Sequence, residues 1–172
     1  EAHGGFGGNQ IDTMILMEAF GKGLVLEPFF ASTVLGAKAI ADGGNEELKT
    51  QMLPGVVDGS RQLTFAYAEP QSRFDLEDIV TRAQEDGDGY IINGHKSMVL
   101  HAASAHQIVV STRTSGGQAD QAGISLFLVD ADADGVEITS FPTVDGQQAA
   151  EIKLEGVKVS NSKPLGELGG GY

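Results

Sequence analysis

A chain of 172 residues, 41% hydrophobic and 20% charged, is long enough for one full core. Its formal charge of -13, from 24 acidic against 11 basic side chains, repels a phosphate backbone and argues against nucleic acid as a partner. The absence of cysteine removes disulfides, thiolate chemistry and cysteine metal sites. No apolar run approaches the roughly 20 residues that span a bilayer. The opening Glu1-Ala-His-Gly-Gly also lacks the charged-then-apolar order of a signal peptide, so no membrane insertion is expected and the cytoplasm is the default compartment. An anionic ligand would need local cations, for which Arg73, Lys96 and Arg113 are the candidates.

The first nine residues are rich in glycine and read as a loop, with Asn9 or Asp12 available to cap a helix. Ile11, Met14, Ile15, Phe20 and Leu24 mark that helix and give it a broad apolar face, ended by Gly21 and Gly23. Glu27-Pro28 opens a second helix through Phe29, Phe30, Val34, Leu35 and Ile40 to Asp42-Gly43-Gly44, apolar on most sides and so buried between neighbours. Asn45 caps a third, with Glu46 and Glu47 at the positive end of its dipole and Leu48, Met52 and Leu53 facing inward before Pro54-Gly55.

From Leu63 the period changes to two. Leu63 to Ala68 is an apolar strand that stops at Glu69-Pro70, because proline cannot donate to a ladder. Ile79 to Ala83 predicts a strand ending in the polar turn Glu85 to Gly89, with Tyr90 to Ile92 pairing back, and Asn93-Gly94 is a strong signal for a tight hairpin. His106 to Thr112 and Gly123 to Asp130 read as buried strands, and Val136 to Thr139 and Ala149 to Leu154 alternate, with Val157 and Val159 beyond them. The fold class is therefore α+β, a helical N-terminal segment (1–60) followed by an antiparallel β-sandwich or barrel domain (61–172). Both ends are glycine-rich loops of the kind that lead elsewhere, which predicts a segment of a longer protein.

Several stretches together carry a resemblance. Glu69-Pro70 after a short apolar strand, Gly89-Tyr-Ile-Ile-Asn-Gly-His-Lys96, Gly123-Ile-Ser-Leu-Phe-Leu-Val129, Leu154-Glu-Gly-Val-Lys-Val159 and Leu165-Gly-Glu-Leu-Gly-Gly-Gly-Tyr172 succeed one another in order. This series resembles the acyl-CoA dehydrogenase family, as does the helical lead from Gly4-Gly5-Phe6-Gly7 to Leu53-Pro54. The resemblance implies an α-β-α chain. The segment would hold the last helices of the N-terminal domain and most of the middle domain, and the catalytic glutamate base would lie in a C-terminal domain. It implies FAD as cofactor, an acyl-CoA substrate undergoing α,β-dehydrogenation as in β-oxidation, an electron-transfer acceptor, and a homo- or hetero-oligomer. The wording Pro70-Gln-Ser-Arg-Phe74 resembles the smaller subunit of two-component, pimeloyl-CoA-type members.

By that resemblance the flavin wall falls on Phe65, Tyr67, Ala68, Met98, Val99 and Leu100, and substrate contacts fall on Arg73 and Phe74. Ala68 stands where the family has Thr or Ser, Gln71 to Asp75 where it has Gly-Ala-Gly-Ser-Asp, and Met98-Val99-Leu100 where it has Trp-Ile-Thr. The family's Arg-x-Ser-x-Thr becomes Asp145 to Ala149. The departures lie on ligand-facing positions, which leaves two readings: a dehydrogenase holding FAD through backbone and apolar contacts, or a structural subunit with a degenerate flavin site beside an active partner. A stand-alone β-sandwich interaction domain is a third.

Other signals have plainer readings. His95, His101 and His106 are spaced onto different strand faces without intervening carboxylates, so no metal site is expected. Glu69, beside a proline at a strand end, is expected to accept backbone N–H groups and fix the loop rather than to act as a catalytic acid. Asp130 to Asp134 lacks the glutamate of a calcium loop, and Gly166 to Gly171 lacks nucleotide-loop spacing.

Overall fold

The computed structural model describes residues 2–160 and 164–172. Helix α1 (Gln10–Gly23) begins at Asn9, whose side chain accepts the N–H groups of Ile11 and Asp12 while Asp12 accepts that of Asn9. It ends at Leu24, in the left-handed region (φ 51°), with the cap N–H turned back to Phe20 and Gly21. None of its side chains is buried; Ile11 and Met14 are 63% and 62% exposed, so the apolar face that the spacing marks is uncovered among the described residues.

The second helix is π-helical over Phe30–Ala37 and continues as α2 (Lys38–Gly43). It lies close on the sheet: a Cβ on Gly36 would stand 2.6 Å from that of Leu63, and the Leu63 N–H donates to the buried Ser32 hydroxyl at 3.0 Å. Helix α3 (Glu46–Val57) is capped by Asn45, which accepts from Leu48, and runs through Pro54 to Val57, one turn past the expected stop. Among the described residues no helix is long and apolar enough to cross a membrane.

Eight strands among the described residues form one sheet: β1 (Leu63–Ala66), β2 (Arg82–Asp86), β3 (Gly89–Leu100), β4 (Gln107–Arg113), β5 (Ile124–Asp130), β6 (Val136–Pro142), β7 (Gln148–Ser160) and β8 (Pro164–Leu165). Their order is β6-β7-β3-β2-β4-β5-β8, with β1 also on β4. Most pairs are antiparallel; β1 and then β2 run parallel to β4. The sheet curls on itself, because Tyr90 of β3 and Phe127 of β5 touch at 4.8 Å although two strands separate them in the order. The alternation then sorts side chains into two cores. Ala66, Ile92, Ile108, Val110, Phe127, Val129, Ile152 and Leu154 fill the inside of the curl. Leu63, Val109 and Leu128, one position out of phase, meet Ile40, Leu48 and Met52 of the helices. The expected helical segment followed by a mostly antiparallel β domain holds, and of the sandwich and barrel alternatives the single curled sheet stands nearer the barrel.

Two local expectations are corrected. Asn93-Gly94 is not a hairpin turn but lies inside β3; the chain reverses at Gly87-Asp88 instead. Asn93 accepts the N–H of Gly156, the register against β7 shifts between Ile92 and Gly94, and a Cβ on Gly94 would fall 2.2 Å from the Thr81 hydroxyl. The Gly therefore serves close approach at a bulge. The strand expected at Ile79 starts only at Arg82, because the N–H groups of Val80 and Thr81 are taken by the Glu69 carboxylate.

Gly94→Ala is expected to lower unfolding free energy in urea by about 1–3 kcal/mol through overpacking. Gly21→Ala, which meets open space in α1, is expected to raise it by about 0.5–1 kcal/mol.

Candidate functional site

The loop that begins at Pro70 is held by a buried ion pair. Glu69 and Lys96 are 3% and 0% exposed, and Lys96 Nζ donates to Glu69 Oε1 at 2.7 Å and to Ser111 Oγ at 3.0 Å. The other carboxylate contacts come from the Val80 N–H at 2.8 Å, the Thr81 N–H at 3.1 Å and the Gln71 amide at 3.0 Å. The Glu69 N–H donates to Ser72 Oγ, and that hydroxyl donates back to the Glu69 carbonyl. Two charges removed from water need this degree of satisfaction. Burial pushes the Glu69 carboxyl up, but the Lys96 charge and the hydrogen bonds outweigh it and hold the carboxyl below its ordinary value. Burial lowers Lys96 to about 8, against the opposing pull of Glu69.

Glu69 thus fixes the loop as its place beside Pro70 predicts, while the role of Lys96 is new. Its signal lies in the alternation of β3, where Tyr90, Ile92 and Lys96 share the buried phase. Arg113, 1% exposed, is likewise consumed: its guanidinium donates to the carbonyls of Glu77, Gln118, Asp120 and Ala122 at 2.7–2.9 Å, pinning two loops together. Of the three cations considered for an anionic ligand, Lys96 and Arg113 are therefore engaged internally, and Arg73 is the exposed one.

The expected wall residues divide. Tyr67, Ala68 and Met98 come together, because the Ala68 carbonyl accepts the Ser97 N–H at 2.9 Å, and Tyr67 and Met98 are 42% and 54% exposed beside that contact. Met98 sits at φ 52° in a bulge of β3 between Lys96 and Val99. Phe65 stacks edge-on against Tyr67 at 5.8 Å. Leu100 is half-buried, its carbonyl accepting the Thr64 hydroxyl at 2.6 Å, and Val99 turns into the inner core. Arg73 (φ 50°) and Phe74 (97% exposed) project from the loop and are not part of the cavity lining.

That cavity, of about 590 Å³, opens between the π-helical segment and the outer face of β1, β4 and β5. Phe30, Leu35, Phe65, Tyr67, Leu126 and Tyr172 supply much of its surface, and Ser111 and Ile79 its floor and side. It is apolar and of the size that takes a small organic ligand. The three histidines lie apart: His95 meets Glu151 at 2.7 Å, His101 faces Gln147, and His106 accepts the Gln62 N–H. Among the described residues no group of three or more His, Asp or Glu side chains is arranged to hold a metal.

Residues 1–60 match the acyl-CoA dehydrogenase N-terminal domain, and residues 64–157 match the acyl-CoA dehydrogenase middle domain. The chain is 29% identical over 167 residues to a (2S)-methylsuccinyl-CoA dehydrogenase of Cereibacter sphaeroides, covering 96% of this chain and 30% of that one. It is 32% identical over 177 residues to the probable acyl-CoA dehydrogenase YngJ of Bacillus subtilis (strain 168), covering 100% and 47%. The crystal structure of the ChsE4-ChsE5 complex from Mycobacterium tuberculosis superposes with a TM-score of 0.88 at 27% identity, over 99% of this chain and 44% of that one. The chain thus spans less than half the length of each of these proteins.

Lys96→Met leaves Glu69 buried without its cation and is expected to cost about 3–5 kcal/mol in chemical denaturation, much of which Glu69→Gln in the same molecule restores. Because the folded Glu69 carboxyl lies below its ordinary value of 4.5, its contribution is present above that pH and is lost as pH falls through the folded value. The melting temperature of the wild type should therefore drop on the acid side, and Glu69→Gln should flatten that limb. Lys96 acts in another window: the unfolded chain holds more protons between about 8 and 10.5, so the cost of burying its charge is relieved as pH rises through that range.

Proposed function

Because the chain belongs to the acyl-CoA dehydrogenase family, matched over both its N-terminal and middle domains, we propose that the whole protein carries out FAD-dependent α,β-dehydrogenation of an acyl-CoA. The observation that carries this reading is the apolar cavity of about 590 Å³ that Tyr67 lines, next in the chain to Ala68, whose carbonyl joins it to the segment bearing the exposed Met98. In this reading residues 1–60 belong to the N-terminal α domain and 61–172 to the middle β domain. The catalytic base comes from chain outside these 172 residues.

The wall fits a flat, conjugated ring. Ala68, Met98 and Leu100 have no side-chain hydrogen-bond donor, so apolar contact and backbone groups do the holding, with Phe65 and Tyr67 as aromatic flanks. The flavin, when bound, supplies the acceptor for the β-carbon hydride, and the protein's share is binding, orientation and exclusion of water. Phe30, Leu35 and Leu126 hold the acyl group by apolar contact. Arg73, exposed on the loop next to Phe74, is the cation assigned to the anionic CoA moiety. An apolar lining, with Lys96 and Arg113 committed elsewhere, favours an uncharged acyl chain over a carboxylate-ended one.

A second reading is favoured by one observation: neither Ala68 nor Leu100 offers the hydroxyl that the family places there. A degenerate-site subunit would take up flavin only with an active partner, and the ChsE4-ChsE5 relative is itself a complex of two proteins.

The intact protein, purified alone, is expected to carry FAD and to lose its yellow colour when acyl-CoA is added without oxygen. Colour that arises only after co-expression with a homologous subunit supports the second reading, and a colourless protein in both cases rejects both. Leu76→Asp, at an exposed rim position of the cavity, is expected to raise the KM for acyl-CoA roughly tenfold with kcat little changed.

A further inference from the structure

The buried ion pair and the exposed wall share peptide units. Glu69 directly follows Ala68, Lys96 directly precedes Ser97, and the Ser97 N–H donates to the Ala68 carbonyl at 2.9 Å. Neither wall segment is held by regular pairing at this point. Tyr67 and Ala68 lie past the end of β1, and the β3–β7 register breaks between Lys96 and Val99, where Met98 bulges out. Lys96 also reaches Ser111 of β4 at 3.0 Å. The Ser111 hydroxyl in turn stands 3.5 Å from the carbonyls of Ala66 and Tyr67, at the outer limit of a hydrogen bond, and lines the cavity. One ammonium thus joins the chain beyond β1, the bulge of β3 and the middle of β4 where the ladder does not.

We propose that Glu69, Lys96 and Ser111 form a positioning device that sets the spacing between Tyr67-Ala68 and Ser97-Met98 and, through that spacing, the affinity of the wall for FAD. The inference rests on the reading of this wall as flavin-facing. Glu69 and Lys96 are positioning residues: both are buried behind the wall, and they act through the peptide units on either side of them.

The test uses the intact protein stripped of flavin. The double variant Glu69→Gln/Lys96→Met removes both charges while leaving an amide oxygen for the Val80 and Thr81 N–H groups, so it is expected to melt near the wild-type temperature. Its affinity for FAD, followed by flavin fluorescence, is nevertheless expected to fall at least tenfold, and hydrogen exchange at the Ser97 amide to speed up at least tenfold. A purely structural pair would recover all three quantities together, and that result, or unchanged FAD affinity, overturns the proposal. Ser111→Ala keeps the ion pair and serves if the double variant does not fold; it is expected to weaken FAD severalfold, and wild-type affinity there also overturns the proposal. The exchange measurement needs no flavin. A wild-type protein that takes up no FAD therefore rejects the reading of the wall, whereas unchanged Ser97 protection in the variants rejects the device.

Discussion

The corner of this molecule that matters most is set by the need to neutralise one buried ammonium. Lys96 is fully enclosed, and an unpaired charge there would cost several kcal/mol even after relaxation. Its carboxylate partner is Glu69, three residues past the end of β1, and from there the chain loops back. The same carboxylate accepts the N–H groups of Val80 and Thr81, which returns the loop to the sheet edge where β2 then starts. The loop carrying Arg73 and Phe74 is thereby closed by electrostatics at both ends. Arg113 performs the equivalent task one strand over, gathering four carbonyls from two loops.

Around that corner the sheet does two jobs with its two faces. The inner phase of the strands packs against itself by curling, which brings Tyr90 and Phe127 together. The outer phase is left for the helices, and the π-helical stretch over Phe30–Ala37 rests directly on β1 because Gly36 has no Cβ to hold it off. Between the π-helical stretch and the sheet the apolar cavity opens, lined by Phe30 and Leu35 on one side and by Phe65, Tyr67 and Leu126 on the other. The widened helix thus borders the cavity, and the broken ladder at Met98 is tied to the Tyr67-Ala68 segment through the Ser97 N–H, in keeping with the general siting of bulges and π-turns at functional positions.

Much of this was legible in the residues. The caps at Asn9 and Asn45, the change of period at Leu63 and the strands at Gln107–Arg113 and Ile124–Asp130 come from short-range rules that the tertiary fold does not override. Asn93-Gly94 misled because the same dipeptide suits a type I′ turn and a bulge, and only the proximity of Thr81 decides between them. Val80 and Thr81 misled because their β propensity is real while their N–H groups go to a carboxylate eleven or twelve residues earlier. Among the site residues, the resemblance marked Tyr67, Ala68 and Met98, which the fold does assemble, together with Val99, which it buries.

The order of helices and strands, the capped helix starts and the absence of thiol chemistry were legible from composition or from residues a few positions apart, and the family from the resemblance of stretches that succeed one another between Gly4 and Tyr172. Tertiary structure alone decided that Lys96 and Arg113 are internal braces rather than ligand-binding cations, that the sheet curls, and that Ala68 meets Ser97. Those outcomes depend on which distant groups a charge or an N–H finds when water is excluded, and spacing along the chain carries no record of that choice.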